Sequence, residues 1–243
     1  MTSNTNLPFT TQAVVIDQFA RLTDPGSDAV ACSAILKVLD TRPDLRRRFF
    51  SQRPTSGWVK VLWDAGVFDS PPAPVTNKTG TYFPSWDAQD YLVAVAKDVP
   101  EYIRKHIRQL MGEAVYQRRA MQALAELPVS ECEAVMPIVL SWFTDLPRAT
   151  ILSWQAIPLI EKFTKDKESR VDLAVGLFEK VTQPWLRAEA ATMSKWSRYI
   201  FGIELPSAVL RNKSERQIFY DLAKIAPFEV VASLNETNYW LGF

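Results

Sequence analysis

Apolar positions recur along this chain at intervals of three and four, and proline interrupts them more often than glycine does. The first run, Val14, Val15, Phe19 and Leu22, predicts a helix capped by Thr11 and broken by Asp24-Pro25-Gly26. Asp28 caps a second, whose face Ala29, Cys32, Ile35, Leu36 and Leu39 pairs it antiparallel with the first. Thr41-Arg42-Pro43-Asp44 starts a third helix that turns Leu45, Phe49 and Phe50 inward and Arg46, Arg47 and Arg48 largely outward, until Pro54. A fourth is predicted from a Ser56 cap to a Gly66 stop, with Trp58, Val61, Leu62 and Ala65 buried and Phe68 packing back.

From Asp69 to Gly80 the periodicity disappears into proline, serine, threonine and asparagine, which reads as a surface loop held partly extended by Pro71, Pro72 and Pro74. Helical patterns then follow one another over 87–97, 100–111 and 115–127, with a further helix from Pro128 or Ser130 that buries Val135, Ile138, Val139, Trp142 and Phe143. Asp98-Val99-Pro100, Glu126-Leu127-Pro128 and Asp145-Leu146-Pro147 punctuate them. Helices over 151–163 and 169–181 form another pair, and Pro137 and Pro158 fall inside apolar runs where a proline bends a helix. Pro184 opens a helix to Gly202, Pro206 restarts the chain, Pro227 interrupts it, and the last residues carry Tyr239, Trp240, Leu241 and Phe243.

About eleven helices in consecutive pairs, with no convincing strand, predict an all-α chain built as an α-solenoid-like stack of antiparallel helix pairs. The stack resembles the HEAT, armadillo and TPR arrays in kind, with irregular repeats: helix starts near 86, 114 and 150 differ by about 28 and 36 residues. The implied organisation is a flexible start over 1–10, an N-terminal helical cap over 11–68, a proline-rich loop over 69–85, and a helical-repeat array over 86–243 whose apolar aromatic end implies either a docked C-terminus or a cut from a longer chain. The competing arrangement is an irregular all-α globule.

Composition agrees with that class. Eight glycines against sixteen prolines are too few for a turn-rich β protein, and 47% apolar residues over 243 positions supply a large core. The 28 basic and 27 acidic residues nearly cancel, so any basic surface is local. Cys32 and Cys132, the two cysteines, lack a CxxC spacing and read as buried, reduced packing residues. A polar start and the absence of an apolar run of about 20 residues exclude a signal peptide and a helical membrane span, and imply the cytoplasm.

The run RRFFSQRPTSGWVKVLWDAGVFDSPPAP, followed by FPSWDAQDYLVAVAKDVPEYI, resembles the N-terminal helical region of large uncharacterised bacterial proteins. There an aromatic pair, a tryptophan helix, Gly-Phe-Phe, a proline loop, Pro-Trp-Pro and a Tyr-Leu helix succeed one another. The match covers about Asp40 to Ile103 and departs at Val67, in place of the first aromatic, and at Asp87, in place of the last proline. The resemblance implies a bacterial helical-repeat segment of a longer protein with a role in sensing or assembly, including defence against phage.

Candidate chemistry is sparse. His106, the one histidine, reads as a solvated or helix-end residue rather than a general base, because no second imidazole or evident carboxylate partner accompanies it. Glu131/Glu133, Asp166/Glu168 and Asp87/Asp90 are the nearest carboxylate pairs, and none resembles an acid/base pair. Phosphate-binding, nucleophile-elbow and HExxH signatures are missing, so the chain reads as non-enzymatic, with no cofactor and no metal. Trp63 lies off its helical stripe and Tyr82 and Phe83 follow a polar loop, which makes these three the partner-binding candidates for a protein or peptide, or for other domains of the same chain, against the alternative that they pack the proline loop onto the first helices. The sequence therefore predicts a helical-repeat scaffold for protein interaction. The alternative is a nucleic-acid-binding array using Arg46, Arg47, Arg48, Arg104, Arg108 and Arg119, against which nearby Glu101, Glu113 and Glu126 argue.

Overall fold

A computed structural model describes residues 9–165, 170–192, 217 and 221–225. The protein is mostly helical and divides into two compact units, Met1–Leu110 and Met111–Phe243.

In the first unit α1 (Phe9–Ala20) is followed by a 3-10 turn at Pro25–Ser27, then α2 (Ala29–Thr41), α3 (Pro43–Ser51) and α4 (Trp58–Asp64). Asp28 caps α2 as its sequence predicts, its carboxylate accepting from the Ala31 N–H at 2.9 Å. Proline opens α3, where its missing N–H costs nothing, and Asp44 meets the positive end of the helix. Leu45, Phe49 and Phe50 turn inward, and α3 packs against both α1 and α2. The start of α4 is not capped by Ser56: the capping position is Gly57, whose lack of a Cβ lets it lie against the Thr23 carbonyl. Gly66 closes α4 at φ 74°, with its own N–H on the Trp63 carbonyl at 2.9 Å and the Val67 N–H on the Leu62 carbonyl at 3.0 Å. That pair of bonds is the Schellman closure glycine allows.

The loop that follows is not wholly irregular. Strands β1 (Val75–Asn77) and β2 (Gly80–Tyr82) form an antiparallel hairpin with Val75 opposite Tyr82 and Asn77 opposite Gly80. Asn77 Oδ1 accepts from both the N–H and the hydroxyl of Thr79 and builds the two-residue turn. All six strand residues are exposed, so no apolar alternation marks them in the sequence. Helices α5 (Asp87–Ala94) and α6 (Pro100–Gln109) complete the unit, burying Tyr91, Leu92, Ile103 and Ile107. Each fully buried aliphatic side chain there contributes about 1.5–3 kcal/mol.

The second unit contains α7 (Ala114–Ala125), α8 (Val129–Glu133), α9 (Met136–Ser141), α10 (Leu146–Lys165) and α11 (Val171–Thr192). α10 is its spine, packed on α7 and α11, while α9 also meets α11. Asp145 caps α10 by accepting the Arg148 N–H at 2.9 Å, and Arg148 donates to the buried Gln117 of α7 at 3.0 Å. Lys162 donates to the Ala125 carbonyl at the end of α7. Two expectations need correction here. Pro137 bends no helix: the run splits, and Pro137 lies in the first turn of α9, where proline is tolerated. Pro184 opens no helix, because α11 continues through it to Thr192. Pro158 does lie inside α10. The expected segments from Met193 to Gly202 and from Pro206 onward, with Pro227 and the aromatic end, lie outside the described residues except Gln217 and 221–225, as does the start of the chain before Phe9.

Candidate functional site

The end of α1 explains how the site is built. A helix leaves its last carbonyls without partners, and here a turn from another part of the chain supplies them. The Thr55 N–H donates to the Ala20 carbonyl at 3.3 Å, the Thr55 hydroxyl donates to the Leu22 carbonyl, and Trp58 Nε1 donates to the Phe19 carbonyl at 3.0 Å. Trp58 is fully buried with its ring edge-on to Phe49 at 5.1 Å. From the other side the Tyr91 hydroxyl donates to the Thr55 carbonyl at 2.7 Å. Burial pushes the Tyr91 phenol well above its ordinary range, so it stays a neutral donor.

The segment pinned in this way begins at Arg53, which follows α3 at φ 53°. Its N–H donates to the Phe50 carbonyl at 3.0 Å, so Arg53 closes α3 in the left-handed conformation that normally calls for glycine. Between this corner and α5 lies a groove of about 560 Å³. Arg47, Ser51 and Arg53 line one side, Asp87, Asp90 and Ala94 the other, and Phe50 and Tyr91 the floor, their rings 5.7 Å apart. Asp87 and Asp90 stand three apart on α5 and so share a face, a proximity their spacing signals. Both lie in its first turn, where the helix dipole favours carboxylates. Ser85 Oγ lies 3.2 Å from Asp87 Oδ1 and 3.3 Å from Asp90 Oδ2. Arg47, Arg53 and Asp87 enter no ion pair among the described residues, although charges of opposite sign line the one groove.

The basic cluster is divided by this arrangement. Arg47 is exposed on the groove, but Arg48 does not face outward freely: it reaches Asp17 of α1 through two bonds, Nε to Oδ1 at 2.8 Å and Nη2 to Oδ2 at 2.5 Å. The Arg48 guanidinium holds the Asp17 carboxyl below its ordinary range. Arg46 is half-buried. Arg104 and Arg108 lie on α6, while Arg119 belongs to the second unit and donates to Gln122 at 2.8 Å.

The aromatic candidates separate as well. Trp63 is half-buried, 5.5 Å from the Phe68 ring and 5.4 Å from Tyr102, so it serves a local cluster. Tyr82 is exposed at the end of β2 and Phe83 is half-buried. None of the three lines the groove.

His106 lies in the last turn of α6 but is not solvated. It is 2% exposed, with Trp86 at 5.3 Å and Phe68 at 6.5 Å from its ring. Its Nε2 is 3.0 Å from Gln89 Nε2, so the imidazole accepts there and its proton resides on Nδ1, which has no hydrogen-bond partner. Burial lowers its pKa to about 4. Without a carboxylate beside it, this arrangement makes a packed neutral imidazole rather than an acid/base pair. Cys32 and Cys132 are both buried and unbridged, each donating its thiol to a backbone carbonyl.

Among the described residues no group of three or more histidine, cysteine, aspartate or glutamate side chains gathers to hold a metal ion, and no helix is long and apolar enough to cross a membrane. No family model, no curated protein and no solved structure matches the chain.

Proposed function

We propose that this chain is a non-enzymatic helical-repeat scaffold that binds a protein segment, acting as the sensing or adaptor part of a larger bacterial protein. Its stacked helices present a surface, and the groove between the corner after α3 and the start of α5 is the binding site. The observation that carries this reading is the groove itself, where Arg47 and Arg53 face Asp87 and Asp90 without Arg47, Arg53 or Asp87 being consumed by an ion pair. Opposite charges left apart on a preformed surface favour a complementary partner over self-pairing. Catalysis gains no support from the same residues, because no nucleophile with an adjacent base lines the groove.

The competing reading, a nucleic-acid array, asks Arg46, Arg47, Arg48, Arg104, Arg108 and Arg119 to follow a phosphate backbone. Asp87 and Asp90 would repel that backbone, and Arg48 is already committed to Asp17. The test is site-specific crosslinking from a photoreactive residue at Ser51 in the full chain within its host cells. A protein adduct that disappears on Asp87→Arg supports the scaffold. Adducts to nucleic acid, or protein adducts unchanged by Asp87→Arg, would overturn it.

A further inference from the structure

We infer that the groove recognises a segment of a protein partner that presents an acidic and a basic side chain together, the acid to Arg47 and Arg53 and the base to Asp87 and Asp90. This rests on reading the groove as an interaction surface and goes on to name the chemistry of what enters it.

Charge comes first. Two arginines and two aspartates sum to no net charge, so a ligand of one sign gains from one wall and is repelled by the other. Only a ligand carrying both signs is favoured by both walls. Its size and openness point to a chain rather than a free metabolite. Arg47, Ser51, Arg53 and Ala94 are exposed, so this is a surface groove, whereas a small zwitterion needs a site that covers most of its surface. Side chains projecting from a docked segment need no such enclosure.

Arg53 supplies a separate observation. Asp87 and Asp90 have an ordinary structural role at the start of α5, and Arg47 is a solvated residue in an exposed position. Arg53 has no such explanation: it occupies a left-handed position, φ 53°, where glycine would close α3 without steric cost. An arginine kept there at the expense of backbone strain is explained by its side chain, and that side chain lines the groove. Thr55, Trp58 and Tyr91 hold the corner from both sides and keep the guanidinium's point of attachment fixed.

The test uses the full chain to select from a displayed random peptide library at low salt, with the enriched peptides then measured by fluorescence polarisation. Enriched sequences are expected to carry an acidic and a basic residue within a few positions of each other, and to weaken at high salt. Arg53→Gly and Asp87→Asn are each expected to weaken the selected peptide about tenfold or more. Arg53→Gly raises the unfolding midpoint at the same time, which separates lost recognition from lost folding. Peptides that depend on both residues but carry charges of one sign, or none, overturn the mixed-charge ligand and leave the groove reading standing. Failure of any peptide to enrich, or binding indifferent to both substitutions, overturns the groove reading with it.

Discussion

Lowering the pH is expected to destabilise this protein through a single buried imidazole. His106 is neutral in the fold with its pKa pushed down to about 4 by burial, against about 6.5 in an unfolded chain. The unfolded state therefore binds the proton first, and stability falls as pH drops through 6.5. The loss is complete below the folded pKa. At about pH 5 the unfolded imidazole is almost fully charged and the folded one is not, which removes about 2 kcal/mol relative to neutral pH; below pH 4 the figure is about 3 kcal/mol. Losses of this size are a substantial share of a typical stability of about 5–15 kcal/mol.

Urea unfolding at pH 7.5 and about pH 5, on the natural chain and on His106→Gln, isolates the imidazole's contribution. Glutamine keeps an amide oxygen as acceptor for Gln89 but does not titrate. Both proteins share the same carboxylates, so the difference between their two losses is the histidine's and should be about 2 kcal/mol. Because the chain has one histidine, the Hε1 resonance of its imidazole can be followed without overlap from another histidine. A midpoint near 6.5 in the folded protein, or equal pH losses in the two proteins, would refute the buried placement of His106.

Four other substitutions follow from backbone and ion-pair geometry. Gly57→Ala sets a Cβ 2.2 Å from the Thr23 carbonyl oxygen and should cost about 1–3 kcal/mol in urea unfolding. Gly66→Ala keeps φ 74° and meets Asp69 Oδ2 at 2.8 Å, and should cost about 1 kcal/mol or more by the same measurement. Arg53→Gly relieves strain and should stabilise by about 0.5–1 kcal/mol; a loss of stability would show that the arginine side chain holds the corner. Asp17→Asn should lower the thermal midpoint at neutral pH by a few degrees. That loss should narrow on acidification: the carboxyl's folded pKa is depressed, so its contribution is present above the unfolded value and lost as pH falls through the folded one.

The parts of the fold that local chemistry decides were legible in the sequence. Asp28 caps α2, Gly66 closes α4, and the three acidic-apolar-proline runs mark the starts of α6, α8 and α10, because each depends only on residues within one turn. What failed depends on distant partners. RKHIRQ looks like a polar helix surface, and only Trp86, Gln89 and Phe68, brought from other elements, make His106 a core residue. The hairpin at 75–82 was invisible because neither strand has a buried face to impose alternation. Arg48 looks equivalent to Arg47 until α1 places Asp17 beside it. The groove carried a partial signal in the three-residue spacing of Asp87 and Asp90, but no periodicity joins the corner after α3 to the first turn of α5.

That corner links stability to recognition. The carbonyls at the end of α1 accept from Thr55 and Trp58, which reach them only if the chain reverses sharply after α3. The reversal places residue 53 in the left-handed region, directly before Pro54, whose missing N–H withdraws the second bond of a full Schellman closure. Glycine at 53 would satisfy all of these backbone demands, whereas arginine satisfies them at a cost. The same bonds that hold the strained residue also fix one wall of the groove before any partner arrives. Ser85 bridges the carboxylates on the opposite wall. Less ordering is then left for the binding event, and an open groove with a few charged contacts can hold a segment that would otherwise lose too much conformational freedom.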